Sequence, residues 1–249
     1  MKIQALLFSI LLIGCQKTKT TDSEIAALPV VQEIPMESID TSADEKIIKT
    51  DTVAIYVNGE ESSKDYILAN LVEQQADKDS IVTVKYRLDF YQNKSKTGSS
   101  KVTIKGFEKG SDWMASYGLT SETSKNSPFI HISVGYPACG YTHDNYLYYL
   151  KNNSLQLVHQ WNTLSDSGWG SWVEIANPSK SSDPKSFYCK TVAFVPADED
   201  ENMDMGILTH SDSISFELKG NQWSKKLLSA KDKAYFQKKM TFDQFNSQE

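Results

Sequence analysis

Hydrophobic and polar residues alternate along much of the chain after residue 50, most clearly in residues 81–91. Five apolar side chains of this segment fall on one face, Val82, Val84, Tyr86, Leu88 and Phe90, and the polar residues Thr83, Lys85, Arg87 and Asp89 fall on the other. A period of two is typical of a β-strand with one buried face. We therefore predict a strand here whose apolar face lies in the core.

The same pattern predicts further strands at Val53–Val57, Lys101–Phe107, Phe129–Tyr136, Asn145–Leu150, Leu155–Trp161, Ser171–Ile175, Thr191–Val195 and Ile214–Leu218. Short polar segments separate them, and the dipeptides Asn58-Gly59, Asn152-Asn153 and Gly220-Asn221 suit tight hairpin turns. This spacing favours antiparallel meanders. We expect an all-β fold, an antiparallel sandwich or a partly open barrel, with a small β-propeller as the alternative.

Two segments have a pattern compatible with a helix. Ala230–Met240 has residues at helical spacing and no helix breaker, which predicts a short C-terminal helix. Residues 62–75 fit either a capped helix or another strand.

The N-terminus has a different pattern: Lys2 precedes an apolar run from Ala5 to Ile13. A run of about nine residues suits a signal peptide and is too short to span a bilayer. The run ends in Leu12-Ile13-Gly14-Cys15, which resembles the lipobox of bacterial lipoproteins. The resemblance implies that residues 1–14 are a signal peptide and that Cys15 carries the lipid anchor.

In that family, the residue after the cysteine influences sorting, and Gln16 resembles the pattern of proteins sent to the outer membrane. The resemblance therefore implies a lipid-anchored protein of the bacterial cell envelope, at the outer membrane. Whether the protein faces the periplasm or the cell exterior stays open.

Residues 15–49 are rich in polar residues and contain no aromatic residue. Such a segment buries too little apolar surface to offset its ordering entropy, so we expect a flexible tether. The alternative is that residues 25–34 dock on the domain as an added strand. Residues 50–249 are expected to form a single β-rich domain.

Composition narrows the class of partner. The formal net charge is −6 at pH 7, and Arg87 is the only arginine. Nucleic-acid binding requires a cluster of basic residues, so it is not expected. The remaining partners are the membrane, reached through the N-terminal lipid, and a glycan or protein ligand.

Cys139 and Cys189 remain once Cys15 is assigned to the lipid. Two cysteines in an oxidising envelope compartment predict a disulfide between them. The alternative is a reactive Cys139 thiol with His143 as its base.

Every second residue in part of the segment 196–206 has a side-chain oxygen that could bind a cation: Asp198, Asp200, Asn202 and Asp204. Calcium loops offer ligands at this spacing. However, Met203 and Thr209 stand where an EF-hand needs glycine and glutamate, so an acidic surface turn is the alternative. No other cofactor is expected.

Three tryptophans, Trp161, Trp169 and Trp172, cluster around a glycine-containing segment. Tryptophan on a rigid β scaffold suits binding of glycans or protein partners. We therefore predict a non-enzymatic envelope binding module that uses these residues.

Two alternative functions stay open. One is a hydrolase of an envelope or extracellular polymer that uses carboxylates such as Asp144, Asp166 and Glu174. The other is a purely structural lipoprotein.

Overall fold

The computed structural model describes residues 31–33, 45–197 and 204–247. The strands in these ranges are β1 (Val31–Glu33), β2 (Lys49–Val57), β3 (Glu60–Ala76), β4 (Val82–Gln92), β5 (Ser95–Lys105), β6 (Asp112–Tyr117), β7 (Phe129–Gly135), β8 (Thr142–Lys151), β9 (Ser154–Asp166), β10 (Trp169–Ala176), β11 (Ser186–Pro196), β12 (Met205–Lys219), β13 (Gln222–Leu227) and β14 (Phe236–Thr241). A 3₁₀ turn, Ser121–Thr123, and one α-helix, α1 (Phe242–Asn246), complete the described elements.

The prediction of an all-β fold is confirmed. The strands form one open sheet in the order β1-β13-β12-β11-β10-β9-β8-β7-β6-β2-β3-β4-β5, with β14 beside β12. All ladders are antiparallel except the short parallel pairing of β2 with β6. Because the strands belong to one continuous sheet, they do not form the separate blades of a propeller.

Local sequence explains the hairpins. Asn58 and Gly59 join β2 to β3, and Asn152 and Asn153 join β8 to β9, all with positive φ. Two-residue turns of this kind match the right-handed twist of the flanking strands, and asparagine and glycine tolerate the conformation. The apolar face predicted for β4 is also confirmed, since Val84, Tyr86, Leu88 and Phe90 are buried.

Strands β7 and β8 lie between two hydrophobic cores. Ile130 and Tyr148 face the first core, which they share with β2–β6. Phe129 and Leu147 face the second core, which they share with β9 and β11–β13. Successive side chains of a strand point to opposite faces, so the two halves of the sheet curl toward opposite sides of β7 and β8.

A third, smaller cluster lies on the outer face of β10–β12. Val192, Phe194 and Leu208 form its buried part together with Met240 of β14. The helix α1 covers this cluster with Phe242 and Phe245. Thr241 caps the helix by accepting a hydrogen bond from the Gln244 N–H, with Oγ1 and N 3.1 Å apart.

The short C-terminal helix exists, but the position predicted for it is wrong. Within residues 230–240, Phe236–Met240 belong to β14 and pair with β12, and the helix begins at Phe242. The backbone hydrogen bonds offered by the edge of β12 override the local helical pattern. Residues 62–75, for which helix and strand were both open, are part of the long strand β3.

Part of the segment predicted as a tether is paired. Val31–Glu33 form β1 against β13, with Gln32 opposite Lys225. This agrees with the alternative of an added strand, although the rest of residues 15–44 lies outside the described residues. In the described ranges, no helix is long and apolar enough to cross a bilayer.

Candidate functional site

The face of β9–β13 that carries the second core also borders an open cavity of about 890 Å³, which we call the inner cavity. Strands β9 to β13, the edge strand β1 and the segment after β13 supply its walls. The lining residues are Gln32, His159, Gln160, Trp161, Val173, Cys189, Thr191, Asp212, Ile214, Lys225, Leu227, Leu228, Ser229, Ala230, Lys231 and Asp232. A cavity with mainly apolar walls and a few polar groups is the usual form of a small-molecule site.

A β-bulge in β9 sets the direction of two lining residues. Leu147 of β8 pairs with His159, and the next residue, Tyr148, pairs with Leu157, so Val158 is the extra residue. A bulge changes which side chains face each side of the sheet. Leu157 therefore packs against the first core, while His159 and Trp161 lie on the side of the second core and the cavity.

Aromatic stacking fixes the indole of Trp161. Its ring centroid lies 5.1 Å from that of His131 and 5.3 Å from that of His159, with nearly parallel planes. His131 is held by Asn145, with Nε2 and Oδ1 3.0 Å apart. Trp161 therefore presents a rigid wall to the cavity.

Two lining groups, the His159 imidazole and the Cys189 thiol, are neutral at pH 7. Burial and the nearby charge of Lys225 lower the pKa of His159 to about 4. Burial raises the pKa of the Cys189 thiol to about 12. The Nδ1 atom of His159 is buried, and no described residue hydrogen-bonds to it. These two uncharged groups therefore lie near the Lys225 ammonium.

The segment from Leu228 to Tyr235 borders the mouth of the cavity. It connects β13 to β14, which pair with different parts of the same edge of β12. Asp212 has φ +46° at the bulge between these parts, and its Oδ1 accepts a hydrogen bond from the Asp232 N–H at an N–O distance of 2.8 Å. The Leu228 N–H donates to the Ser213 carbonyl at 2.7 Å.

The predicted Cys139–Cys189 disulfide is not formed. Cys189 is buried and pairs with Ile175 of β10, whereas Cys139 is exposed in the turn before β8. The N–H of Gly140, the residue after Cys139, donates a hydrogen bond to the Ser165 carbonyl. Ser165 in turn pairs with Gly170, at the end of β10 away from Ile175. Gly170 and Ile175 are five residues apart in β10, and a strand extends by about 3.3 Å per residue. This length exceeds the Cα separation of about 7 Å that a disulfide tolerates.

The His143 side chain hydrogen-bonds to the backbone of the turn that contains Cys139. Its Nε2 lies 2.9 Å from the Tyr136 carbonyl oxygen, so the ring donates to the backbone of the β7–β8 turn. The ring packs over Gly135, where a Cβ would lie only 2.4 Å from it. The hypothesis of a Cys139–His143 dyad gains no support from these contacts.

The three predicted tryptophans lie on different faces. Trp161 lines the inner cavity, whereas Trp169 and Trp172 belong to the outer cluster under α1. Trp169 stacks on Phe194 with ring centroids 4.7 Å apart, and Trp172 packs against Phe245 at 5.8 Å. Of the three, Trp161 is the one placed to contact a ligand in the cavity.

The predicted calcium ligands Asp198, Asp200 and Asn202 lie outside the described residues. Asp204 is described, and its carbonyl accepts the Phe242 N–H at the start of α1. Across the ranges that the structure describes, no three His, Cys, Asp or Glu side chains group together in a metal-binding arrangement.

The carboxylates considered for hydrolysis have separate partners. Burial raises the pKa of Asp144, which accepts a hydrogen bond from Asn162. Asp166 accepts a hydrogen bond from Ser167, and Glu174 pairs with Lys190 at 2.9 Å. Their contacts do not join them into one catalytic pair.

No pattern in the sequence identifies Lys225, Asp212 or residues 228–232 as cavity residues. Lys225 is one of two adjacent lysines in β13, and only the strand register shows which of them faces inward. Comparison of the chain with protein-family models, curated proteins and solved structures finds no match.

Proposed function

We propose that this protein is a lipid-anchored envelope protein whose β domain binds a small ligand in the inner cavity. The observation that carries the proposal is the cavity itself, whose apolar wall of Trp161, Val173 and Ile214 surrounds a few polar side chains. Binding is favoured over catalysis because the Cys189 thiol is protonated and the His159 imidazole is a weak base at neutral pH.

The cavity proposal predicts the effect of Val173→Trp. The larger side chain would project from β10 into the cavity and occupy the space of a ligand. We expect at least fivefold weaker binding of the neutral fluorescent probe N-phenyl-1-naphthylamine, measured by its fluorescence enhancement.

The matched control is Val195→Trp, which places an indole at an exposed position of β11. This variant should bind the probe as the wild type does. Near-ultraviolet circular dichroism checks that both variants fold. Equal probe binding by all three proteins would show that the probe does not occupy the cavity.

The anchor is proposed on the resemblance of Leu12–Cys15 to a lipobox. Several acyl chains on one residue would hold the protein firmly at a membrane, at about 0.8 kcal/mol per buried CH₂. In a bacterial host grown with an alkyne fatty acid, the wild type should carry the label and sediment with membranes.

Cys15→Ser should lose both properties, whereas Cys139→Ser should keep them. Label retained in Cys15→Ser would contradict the assignment of the anchor.

A further inference from the structure

Of the two described lysines that line the cavity, Lys231 lies in the segment after β13 and Lys225 lies on β13. It lies opposite Phe216 of β12 and Gln32 of β1, and it is half-buried. Its charge acts on both His159 and Cys189, so the ammonium lies near these two lining residues. Among the described residues, no carboxylate lies within ion-pair distance of this ammonium.

The other charged residues that line the cavity are Asp212, Lys231 and Asp232. Asp212 accepts the backbone N–H of Asp232 and thereby holds the segment that borders the mouth. Lys231 and Asp232 are highly exposed, with Nζ and Oδ2 4.0 Å apart. Water screens charges in such exposed positions strongly. Asp212 is half-buried, as Lys225 is, and its charge also acts on Cys189, but its carboxylate already accepts the Asp232 N–H. Among the described lining residues, Lys225 is therefore the half-buried charge that has no hydrogen-bond or ion-pair partner.

A half-buried ammonium beside apolar walls is poorly solvated, and an anion that enters the cavity would supply its missing partner. The neutral thiol of Cys189 brings no competing negative charge at pH 7. His159 can offer a hydrogen bond from a ring nitrogen to the same anion.

The apolar side chains define the other half of the ligand. Trp161, Val173, Ile214 and Leu227 present aromatic and aliphatic surface next to Lys225, and Leu228 extends this surface to the mouth. Burial of an apolar ligand body against them contributes roughly 25 cal/mol per Å² before the costs of association.

We propose that the inner cavity binds an amphipathic organic anion, with its acidic head group on Lys225 and its apolar body against Trp161, Val173 and Ile214. This assignment rests on the proposed function and specifies its ligand class. The shared chemistry is one acidic group on an apolar body, and acyl and aromatic bodies are the two sources to be distinguished.

The test measures binding by calorimetry to the full chain in phospholipid nanodiscs, with empty nanodiscs as the blank for partitioning. The probes are two acids, decanoate and naphthalene-2-carboxylate, and their neutral counterparts, decanamide and naphthalene-2-carboxamide. We expect at least one acid to bind at least tenfold more tightly than its amide, and the tighter acid identifies the body as acyl or aromatic.

The variant Lys225→Met keeps an unbranched side chain and removes the charge. It should weaken binding of that acid at least tenfold and leave the affinity for the amide within twofold. The matched control is Lys226→Met, because Lys226 is the adjacent lysine of β13 and does not line the cavity. This control should bind the acid within twofold of the wild type.

Two results would overturn the assignment of the anion: an acid and its amide that bind equally, or equal effects of Lys225→Met and Lys226→Met. In either case the proposed function would still stand if Val173→Trp weakens binding of the neutral probe. Failure of both acids to bind, together with probe binding that Val173→Trp leaves unchanged, would reject the anion and the cavity function together.

Discussion

Replacement of Asp89 by alanine is expected to destabilise the protein by about 3–5 kcal/mol, the range found when one partner of a buried ion pair is removed. Asp89 is 4% exposed on the outer face of β4. Its carboxylate accepts hydrogen bonds from Asn70, Ser99 and Arg87, with donor–acceptor distances of 2.6 to 3.3 Å, and lies 2.9 Å from the Lys96 ammonium. Alanine would remove the acceptor that these four side chains share.

Urea unfolding measures this effect, and Glu217→Ala is the control. Glu217 makes an exposed ion pair with Lys219 at 3.3 Å, and exposed pairs of this kind contribute about 0–1 kcal/mol. If Asp89→Ala costs no more than Glu217→Ala, the buried network does not stabilise the fold.

The effect of Asp89→Ala should also depend on pH. Burial raises the pKa of Asp89, but hydrogen bonds from Ser99, Lys96 and Arg87 outweigh burial and hold the pKa below its usual value. A carboxylate with a lowered folded pKa stabilises the protein above its unfolded pKa of about 3.9. The difference between wild type and variant should therefore be constant near neutral pH and shrink as the pH falls through the folded pKa.

Trp223→Ala should also cost about 3–5 kcal/mol, the usual range for removal of a buried tryptophan. Trp223 is 0% exposed in the second core. Its ring packs against Phe129, Tyr149 and Phe187 with centroids 5.3 to 5.6 Å apart. Thermal and urea unfolding should both show the loss.

A second substitution, Trp223→Phe, separates volume from polarity. The indole Nε1 is buried without a hydrogen-bond partner among the described residues, so phenylalanine removes an unsatisfied donor while it keeps most of the packing. We expect a loss of about 1–2 kcal/mol. Tyr188→Ala, at a position that is 44% exposed, is the surface control. A loss for Trp223→Ala no larger than that of this control would contradict the described packing.

The strand pattern was predictable because β4 alternates strictly and because asparagine and glycine mark the hairpins. The sequence did not predict that Asp89 is buried, since it belongs to the polar face of that pattern. Its burial depends on Arg87 and Lys96 and on Glu45, which reaches Arg87 from the segment before β2 at 3.5 Å. Glu45 is distant from Arg87 in the chain, and Lys96 reaches Asp89 through the pairing of β4 with β5, so no local pattern records this network.

The faces of β9 and β12 were unpredictable for a different reason. The bulge at Val158 and the left-handed backbone at Asp212 shift the register inside single strands. Trp161 was identified from its residue type, but its grouping with Lys225 in one cavity depends on these shifts and on the strand order. The disulfide prediction failed because it also depended on the strand order. The number of cysteines carries no information about the distance between them.

The pairing of β1 with β13 also limits how far the cavity can stand from a lipid anchor. Gln32 lines the inner cavity, and Cys15 precedes it by seventeen residues. An extended chain covers at most about 3.3–3.6 Å per residue, so this connection spans no more than about 60 Å. With the proposed acylation of Cys15, the edge of the cavity would stay within about 60 Å of the bilayer surface. This maximum distance is half of what a tether from Cys15 to Lys49 would allow.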